Sequence, residues 1–482
     1  MLLYHHINLQ SVNKIVITHN IFLRVNLLRT IMVSLIIPTH NRKEYLEKTL
    51  ISLISQINVV DSDFEVIIVD DASTDNTDVM IRKYINKTNI NYVKIPSSNG
   101  NPSLVRNAGI RISKGNLISF VDSGMIMNRY FLHNLLQNYG SENNIFVIHE
   151  VYGLFSEPCE EMENISSDLL NSESVEEFNF ILSNYSYSSK WIDRRKELFK
   201  ESKIYVPWCY AWSCALTVSK KLIDNSGLFD ESFRGWGSED VDFAYRCFQN
   251  GGDFVFDNSN PLFHIPHPTA SAKSKEASNH NNRLKMHEKS FSFETEIFLF
   301  TYSTHMQSIM SFYDNLILRH VLPEYQSSLW KKISTDLLNF PISRMLIVGA
   351  ATKEPLKIIN NITHAFYVNE KQHFMLQNEG VIFDNQLGCS TRYSTSYFDA
   401  VIITDFARIL TDVYLVPFFG EMTRIGKNVF FIYDEKFIPY GKEMYGLTWK
   451  NMSNIKDTLL NNLSLSKVGK INNQSLYIVE NK

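Results

Sequence analysis

Three runs of mostly aliphatic residues, each stopping at a polar or acidic side chain, constrain this chain most. Val33-Ser-Leu-Ile-Ile37 stops at Pro38 and Thr39, Phe64-Glu-Val-Ile-Ile-Val69 at Asp70-Asp71, and Asn116-Leu-Ile-Ser-Phe-Val121 at Asp122. Near-continuous apolar runs of this length read as strands buried on both faces. Between the first two, Tyr45, Leu46, Leu50, Leu53 and Ile54 recur at helical spacing. The pattern predicts further helices over 75–84 and 106–112 and a strand over 92–95. Strands alternating with helices form a parallel sheet joined by right-handed crossovers. Such sheets bind ligands beyond the carboxyl ends of their strands, where Thr39, Asp70, Asp71 and Asp122 all fall.

The chain has 482 residues, which at about 150 per domain predicts three folding units. With 44% hydrophobic and 20% charged residues, a large core is available and wholesale disorder is excluded. A net charge of −4 gives no basic footprint for nucleic acid. Five cysteines without a CxxC pair argue against a disulfide framework or zinc ribbon and for a reducing, cytoplasmic setting. The most apolar N-terminal stretch, 21–37, is broken by Arg24, Asn26 and Arg29. It predicts no transmembrane segment and no signal peptide, and leaves peripheral membrane contact open. Residues 1–31 read as an extension ahead of a natural start at Met32.

The first domain spans 32–270, split into a half at 32–150 and a second at 151–270. Within it, 157–177 is acidic and weakly periodic, which predicts a solvated excursion. Residues 271–340 read as a helical connector. Arg344-Met-Leu-Ile-Val-Gly349 then opens a second strand–turn–helix series, with later strands over 365–368, 399–404 and 428–433. That makes 341–482 a smaller Rossmann-like α/β unit. Oligomeric state is not legible.

Three clusters carry chemistry. Asp70-Asp71-Ala-Ser73-Thr-Asp75 follows a buried strand, and paired acids there can accept hydrogen bonds from a base and from ribose hydroxyls. The plainer reading is a turn and a helix cap. Asp122-Ser-Gly124 could share a divalent cation with a diphosphate, or form a simple turn. Gly235-Trp-Gly-Ser-Glu-Asp240 opens a helix with Ser238 as predicted N-cap, Glu239 and Asp240 in the first turn and Gly251 past its end. Two glycines flanking Trp236 suggest close backbone approach to something beyond a helix cap. Phe263-His-Ile-Pro-His267 adds two imidazoles able to ligate a cation. Trp208, Trp212 and Trp236 offer faces for a sugar, with core packing the plainer role for the first two.

In order and spacing these motifs resemble the family 2 glycosyltransferases of the GT-A fold. Val33–Arg42 looks like their opening strand and nucleotide loop, Val66–Asp75 their uridine-contacting segment, and Arg106-Asn-Ala-Gly109 their donor-side helix start. Gly235–Asp240 resembles the Gly-Trp-Gly-Gly-Glu-Asp segment of β-1,4-galactosyltransferases, polypeptide GalNAc-transferases and bacterial chondroitin-type polymerases. The likeness covers roughly 33–268. It implies an α/β fold with a mostly parallel nucleotide-binding sheet, and inverting transfer from a UDP-sugar to a glycan, lipid-linked glycan or peptide hydroxyl. By the same resemblance Asp71 binds uracil, and Pro38, Thr39, Asn41, Asp70, Arg106 and Asp122 line the nucleotide site. Glu239 holds the acceptor, Asp240 is the general base, and Trp236, Gly237 and Trp212 contact acceptor or sugar. The resemblance also implies Mn²⁺ or Mg²⁺ on Asp122 and His264, or less readily His267. Gly124 replaces the second acid of the family's Asp-X-Asp, which bears on that cation. A non-catalytic nucleotide- or glycan-binding scaffold is the alternative.

The C-terminal part resembles the Rossmann-like fold of SAM-dependent methyltransferases, with Ile347-Val-Gly-Ala-Ala-Thr-Lys353 at the cofactor loop and Glu370 where a ribose-binding acid would sit. Only one loop glycine remains, so a docking or acceptor-positioning role is expected ahead of methyl transfer or a bifunctional enzyme.

Overall fold

The computed structural model describes residues 32–154, 162–184, 192–267, 272–315, 325–337, 340–410, 412–436, 451–459 and 462–482. The extension over 1–31, Cys159 and the start of the acidic stretch lie outside these residues. Two compact units divide between Asn282 and Arg283.

The first unit is built on eight strands: β1 (Val33–Thr39), β2 (Phe64–Asp71), β3 (Ile90–Ile95), β4 (Leu117–Val121), β5 (Met125–Met127), β6 (Ile145–Tyr152), β7 (Ala215–Ser219) and β8 (Asp253–His264). They lie in the order β3-β2-β1-β4-β7-β6-β8-β5. β1 is parallel to β2 and to β4, and β2 to β3. Register places Thr39 opposite Asp70, so the strand ends carrying Thr39, Asp71 and Asp122 open on one edge. Beyond β4 the sheet is mixed. β7 runs antiparallel to β4 and β6, β6 is parallel to β8, and β5 is antiparallel to β8.

Helix α1 (Lys43–Ile54) buries Leu46, Leu50 and Leu53 against Val33, Leu35 and Ile37, each leucine contributing roughly 1.5–3 kcal/mol by burial. On the opposite face lies α2 (Pro102–Ile112). A Cβ at Gly109 would come 2.5 Å from Ile36 Cγ2, so glycine lets that helix lie flat on β1. α2 starts four residues earlier than its apolar spacing predicts. Asn101 caps it by accepting from the Leu104 N–H at 3.3 Å, and Pro102 follows at the first helical position.

Two other local expectations are corrected. The helix predicted over 75–84 is regular only over Thr77–Ile81: the Asp75 carboxylate bonds the Thr77 hydroxyl and the Lys43 N–H at its start, and past Ile81 the Lys83 and Tyr84 N–H groups bond three residues back. The described part of the acidic stretch is not a solvated excursion. Met162–Asn171 and Val175–Asn184 are helices whose Met162, Ile165, Leu169, Phe178 and Leu182 pack with Ile126 and Phe263. Acidic residues between those apolar positions mask the 3.6-residue period, and the acids face outward.

The second unit holds seven strands, β9 (Met345–Val348), β10 (Ile362–Tyr367), β11 (Ile382–Asn385), β12 (Phe398–Ile403), β13 (Gly426–Asp434), β14 (Leu463–Ile471) and β15 (Gln474–Asn481). Their order is β11-β10-β9-β12-β13-β15-β14. The first five are mutually parallel, and β15 is antiparallel to both its neighbours. The helices Phe293–Phe300, Ser303–Asn315 and Ser327–Leu337 belong to this unit. Leu329, Trp330, Ile333 and Leu337 share a core with Met345, Ile347 and Ile402. Gly349 follows β9 with φ +77°, and a Cβ there would lie 2.1 Å from Phe406 Cβ. The close approach at this glycine is thus met by the chain's own buried phenyl ring. Glu370 stands in the first turn of Glu370–Leu376 with 85% of its side chain exposed. Among the described residues no helix is long and apolar enough to cross a membrane.

Candidate active site

Helix α3 (Glu239–Gln249) brings the third cluster to the strand-end edge. Phe243, Ala244 and Cys247 are fully buried along it, so the helix is anchored by its apolar stripe and its N-terminus faces the β4 end. There the Arg106 guanidinium, from α2, reaches Glu239 Oε1 at 3.2 Å and Asp122 Oδ1 at 3.5 Å. Burial raises the proton affinity of both acids, and Asp240 raises it further, while Arg106 opposes. The Glu239 carboxyl is pushed up to about 7. Its Oε1 is on Arg106, and its buried Oε2 has no hydrogen-bond partner among the described residues.

Asp240 is held from the β7 side. Its Oδ2 accepts from the Ser213 N–H at 3.0 Å and the Ser213 hydroxyl at 3.3 Å, and its Oδ1 from the Val241 N–H. The next residue, Cys214, accepts the Asp122 N–H through its carbonyl at 3.0 Å. One short segment, 213–214, therefore fixes both acids. Carboxylate oxygens accept more than one hydrogen bond each, so Asp240 keeps capacity for an acceptor hydroxyl.

The loop before α3 departs from expectation. Ser238 takes the N-cap position in the left-handed region, φ +67°, and makes no capping hydrogen bond. Its hydroxyl instead donates to Asn279 Oδ1 at 2.6 Å. Asn279 lies on α4 (Ala272–Ser290), which lies against the whole loop. Asn282 donates to the carbonyls of Arg234 and Gly237, and Ser278 to that of Arg234. A Cβ at Gly235 would meet Ser278 Oγ at 2.4 Å, and one at Gly237 would meet Asn279 Oδ1 at 2.7 Å. What approaches these glycines is α4 itself. Trp236 is left 48% exposed, with the Lys275 ammonium 5.2 Å from its ring centroid. No periodicity or motif marks Ser278, Asn279 and Asn282, which read in sequence as an ordinary polar helix face.

On the nucleotide side Asn41, φ +51°, accepts the Thr74 N–H, and its own N–H bonds Ser73 Oγ. Asp70 is sealed: its oxygens take the Ser73 N–H and the Tyr92 hydroxyl, which is a turn-holding role. Asp71 accepts from the N–H and hydroxyl of Ser98 at 2.5 and 2.6 Å, a partner no sequence signal marked. The Pro38 carbonyl accepts the Ser123 hydroxyl, and the buried Thr39 hydroxyl has no partner among the described residues. Trp208 is fully buried. Trp212 packs partly buried against the core, its ring 4.5 Å from the buried Arg195 guanidinium.

Among the described residues no three His, Cys, Asp or Glu side chains converge as a metal-binding group. Gly124 has φ +106°, and a Cβ there would make only ordinary contact with Tyr45 Cβ at 3.4 Å, so an acid at this position would be strained by its backbone rather than crowded. His264 and His267 lie with ring centroids 5.0 Å apart. Burial pushes the His264 imidazole down to about 4, and its buried Nδ1 has no partner among the described residues. His267, lowered chiefly by burial, is the imidazole whose protonation Asp122 favours.

The family model "Glycosyl transferase family 2" matches residues 34–201. Hyaluronan synthase of Pasteurella multocida is 30% identical over 231 residues, 46% of this chain and 23% of that protein. Validoxylamine A glucosyltransferase of Streptomyces hygroscopicus subsp. jinggangensis is 27% identical over 244 residues, 49% of this chain and 56% of that one. The matches span less than two thirds of either relative. Among solved structures, TarS 1–349 of S. aureus shares 18% identity at a TM-score of 0.39, covering 64% of this chain and 80% of that chain. The first unit of this chain carries a family 2 glycosyl transferase domain.

Proposed function

We propose that this chain is an inverting glycosyltransferase, moving a sugar from a UDP-sugar to a hydroxyl of a glycan, lipid-linked glycan or peptide. The observation that carries the reading is Asp240: a helix-leading carboxylate fixed by Ser213 beside Asp122 at the strand-end edge. In this reading Asp71, Pro38, Thr39 and Asn41 receive the nucleoside. The acceptor oxygen attacks the anomeric carbon as the bond to the diphosphate oxygen breaks on the opposite face, and Asp240 takes the hydroxyl proton. Glu239, with Oε2 unpartnered, bonds the acceptor. A protonated Glu239 donates that hydrogen bond and an ionised one accepts it. Trp236 offers its exposed face to a sugar ring.

A divalent cation fits as a shared site: Asp122 and His267 would be its protein ligands, and diphosphate oxygens would complete the shell. When bound it would offset charge on the leaving group. Cys209, Cys214, Cys247 and Cys389 are buried and form no disulfide among the described residues, which suits a cytoplasmic setting. In the second unit Phe406 fills the space beside Gly349, so we assign that unit a docking or acceptor-positioning role; saturable SAM binding would reverse that assignment.

Asp240→Asn tests the reading. With a donor chosen by screening nucleotide-sugars for UDP release, the variant should lose at least about a hundredfold in turnover and keep wild-type UDP affinity by calorimetry. Equal UDP release from both proteins would favour the scaffold alternative.

A further inference from the structure

The segment 210–214 carries Ser213 and Cys214, the two residues that hold Asp240 and Asp122. On one side it runs into the ladder of β7 with β4, which pairs Ala215 with Val121. On the other side the ladder between β6 and β7 ends at Ile148 and Leu216. β6 continues past that point through His149 to Tyr152, and side chains meet two of its backbone groups there.

Arg195 stands in that gap. It lies in the one-turn helix Arg195–Leu198 and is 2% exposed. Its Nη2 donates to the His149 carbonyl at 3.0 Å and its Nη1 to the Tyr210 carbonyl at 2.9 Å. The guanidinium thus bridges the two backbones where their ladder has stopped. Its carbon sits 4.5 Å from the Trp212 ring centroid, so the residue next to Ser213 rests on a buried cation. The Trp212 N–H bonds the same Tyr210 carbonyl at 3.1 Å. Asp193 fixes the arginine in turn. Its carboxylate accepts from Nε at 2.9 and 3.1 Å and from Nη2 at 2.6 Å, and Oδ2 also takes the Val151 N–H at 3.0 Å. All three side-chain nitrogens are used in one plane, which a guanidinium supplies and an ammonium does not. Filling space alone would be served by an apolar side chain, without the cost of burying two charges.

We propose that Arg195 is a positioning residue for the transfer step: through Tyr210 and Trp212 it sets where Ser213 holds the Asp240 carboxylate. The proposal rests on the reading of Asp240 as general base. A base works within hydrogen-bond reach of the hydroxyl it deprotonates, and a displacement of about 1 Å costs on the order of a hundredfold. The nucleotide side is held separately, Asp71 by Ser98 and Asn41 by Ser73 and Thr74. Arg195 therefore acts on kcat and not on donor binding.

Arg195→Lys tests this, because it keeps the charge opposite Asp193 and gives up the fork. Turnover should fall about tenfold, while UDP affinity by calorimetry and donor KM stay at wild-type values. Made again in the Asp240→Asn protein, the same change should lower residual turnover less than about twofold, since the group it positions is gone. Should Arg195→Lys fail to fold, Arg195→Met with Asp193→Asn removes both charges together and carries the same expectations. Wild-type turnover in Arg195→Lys, or an equal loss in both backgrounds, would overturn the brace and leave the transfer reading standing. If Asp240→Asn alone released UDP as fast as wild type, the transfer reading and the brace would fall together.

Discussion

Arg106 and Glu239 meet at 3.2 Å across 133 positions of sequence. Their side chains are only 7% and 8% exposed. The same guanidinium turns its other nitrogen to Asp122. One buried cation thereby ties the acid at the end of β4 to the acid that opens α3, and the donor and acceptor sides of the proposed reaction share a counter-charge.

Removing that counter-charge should be costly. Arg106→Met leaves the buried Glu239 carboxyl without its counter-charge, while Asp122, 35% exposed, is rehydrated, and unfolding in denaturant should show a loss of about 3 kcal/mol. Arg106→Met with Glu239→Gln should restore part of it. A strictly additive double variant would show that the pair is not coupled.

Glu239 also sets a pH dependence. Its folded-state value is raised from 4.5 to about 7, so the folded protein binds its proton more tightly than the unfolded chain. That contribution is complete below about 4.5 and is lost as pH rises through about 7. Unfolding midpoints should therefore fall over this window in wild type relative to Glu239→Gln. Parallel curves would contradict the assignment.

The loop under α4 makes a third expectation. Gly237→Ala combines φ +97° with a Cβ 2.7 Å from Asn279 Oδ1, and should lower stability by about 1–3 kcal/mol. Because Ser238 is bonded to the same Asn279, acceptor KM should rise as well. Gly237→Ala with Asn279→Gly relieves the contact but not the backbone strain, so thermal melts should show partial recovery.

A fourth concerns the second unit. Glu296 is fully buried and accepts from the backbone N–H groups of Leu387, Gly388, Cys389 and Ser390. Glu296→Ala leaves those donors without their acceptor, at a cost of about 3 kcal/mol or more. Calorimetry should show the second unit melting earlier, with Glu296→Gln in between.

The sequence alone determined what neighbouring residues enforce. Buried-type apolar runs made β1, β2 and β4 parallel strands, so Thr39, Asp71 and Asp122 had to share one edge. The apolar stripe of Phe243, Ala244 and Cys247 made α3 a helix with two acids at its positive end. The tertiary structure decided which charges meet. Arg106 finds Glu239 and Asp122 only because sheet order brings α2, β4 and α3 together, and no local pattern encodes a contact of that span. Ser238 looked like a helix cap because capping is a local preference, yet Asn279 from α4 captured its hydroxyl. Likewise the two glycines announced a close approach, but only the packed chain shows that α4 makes it.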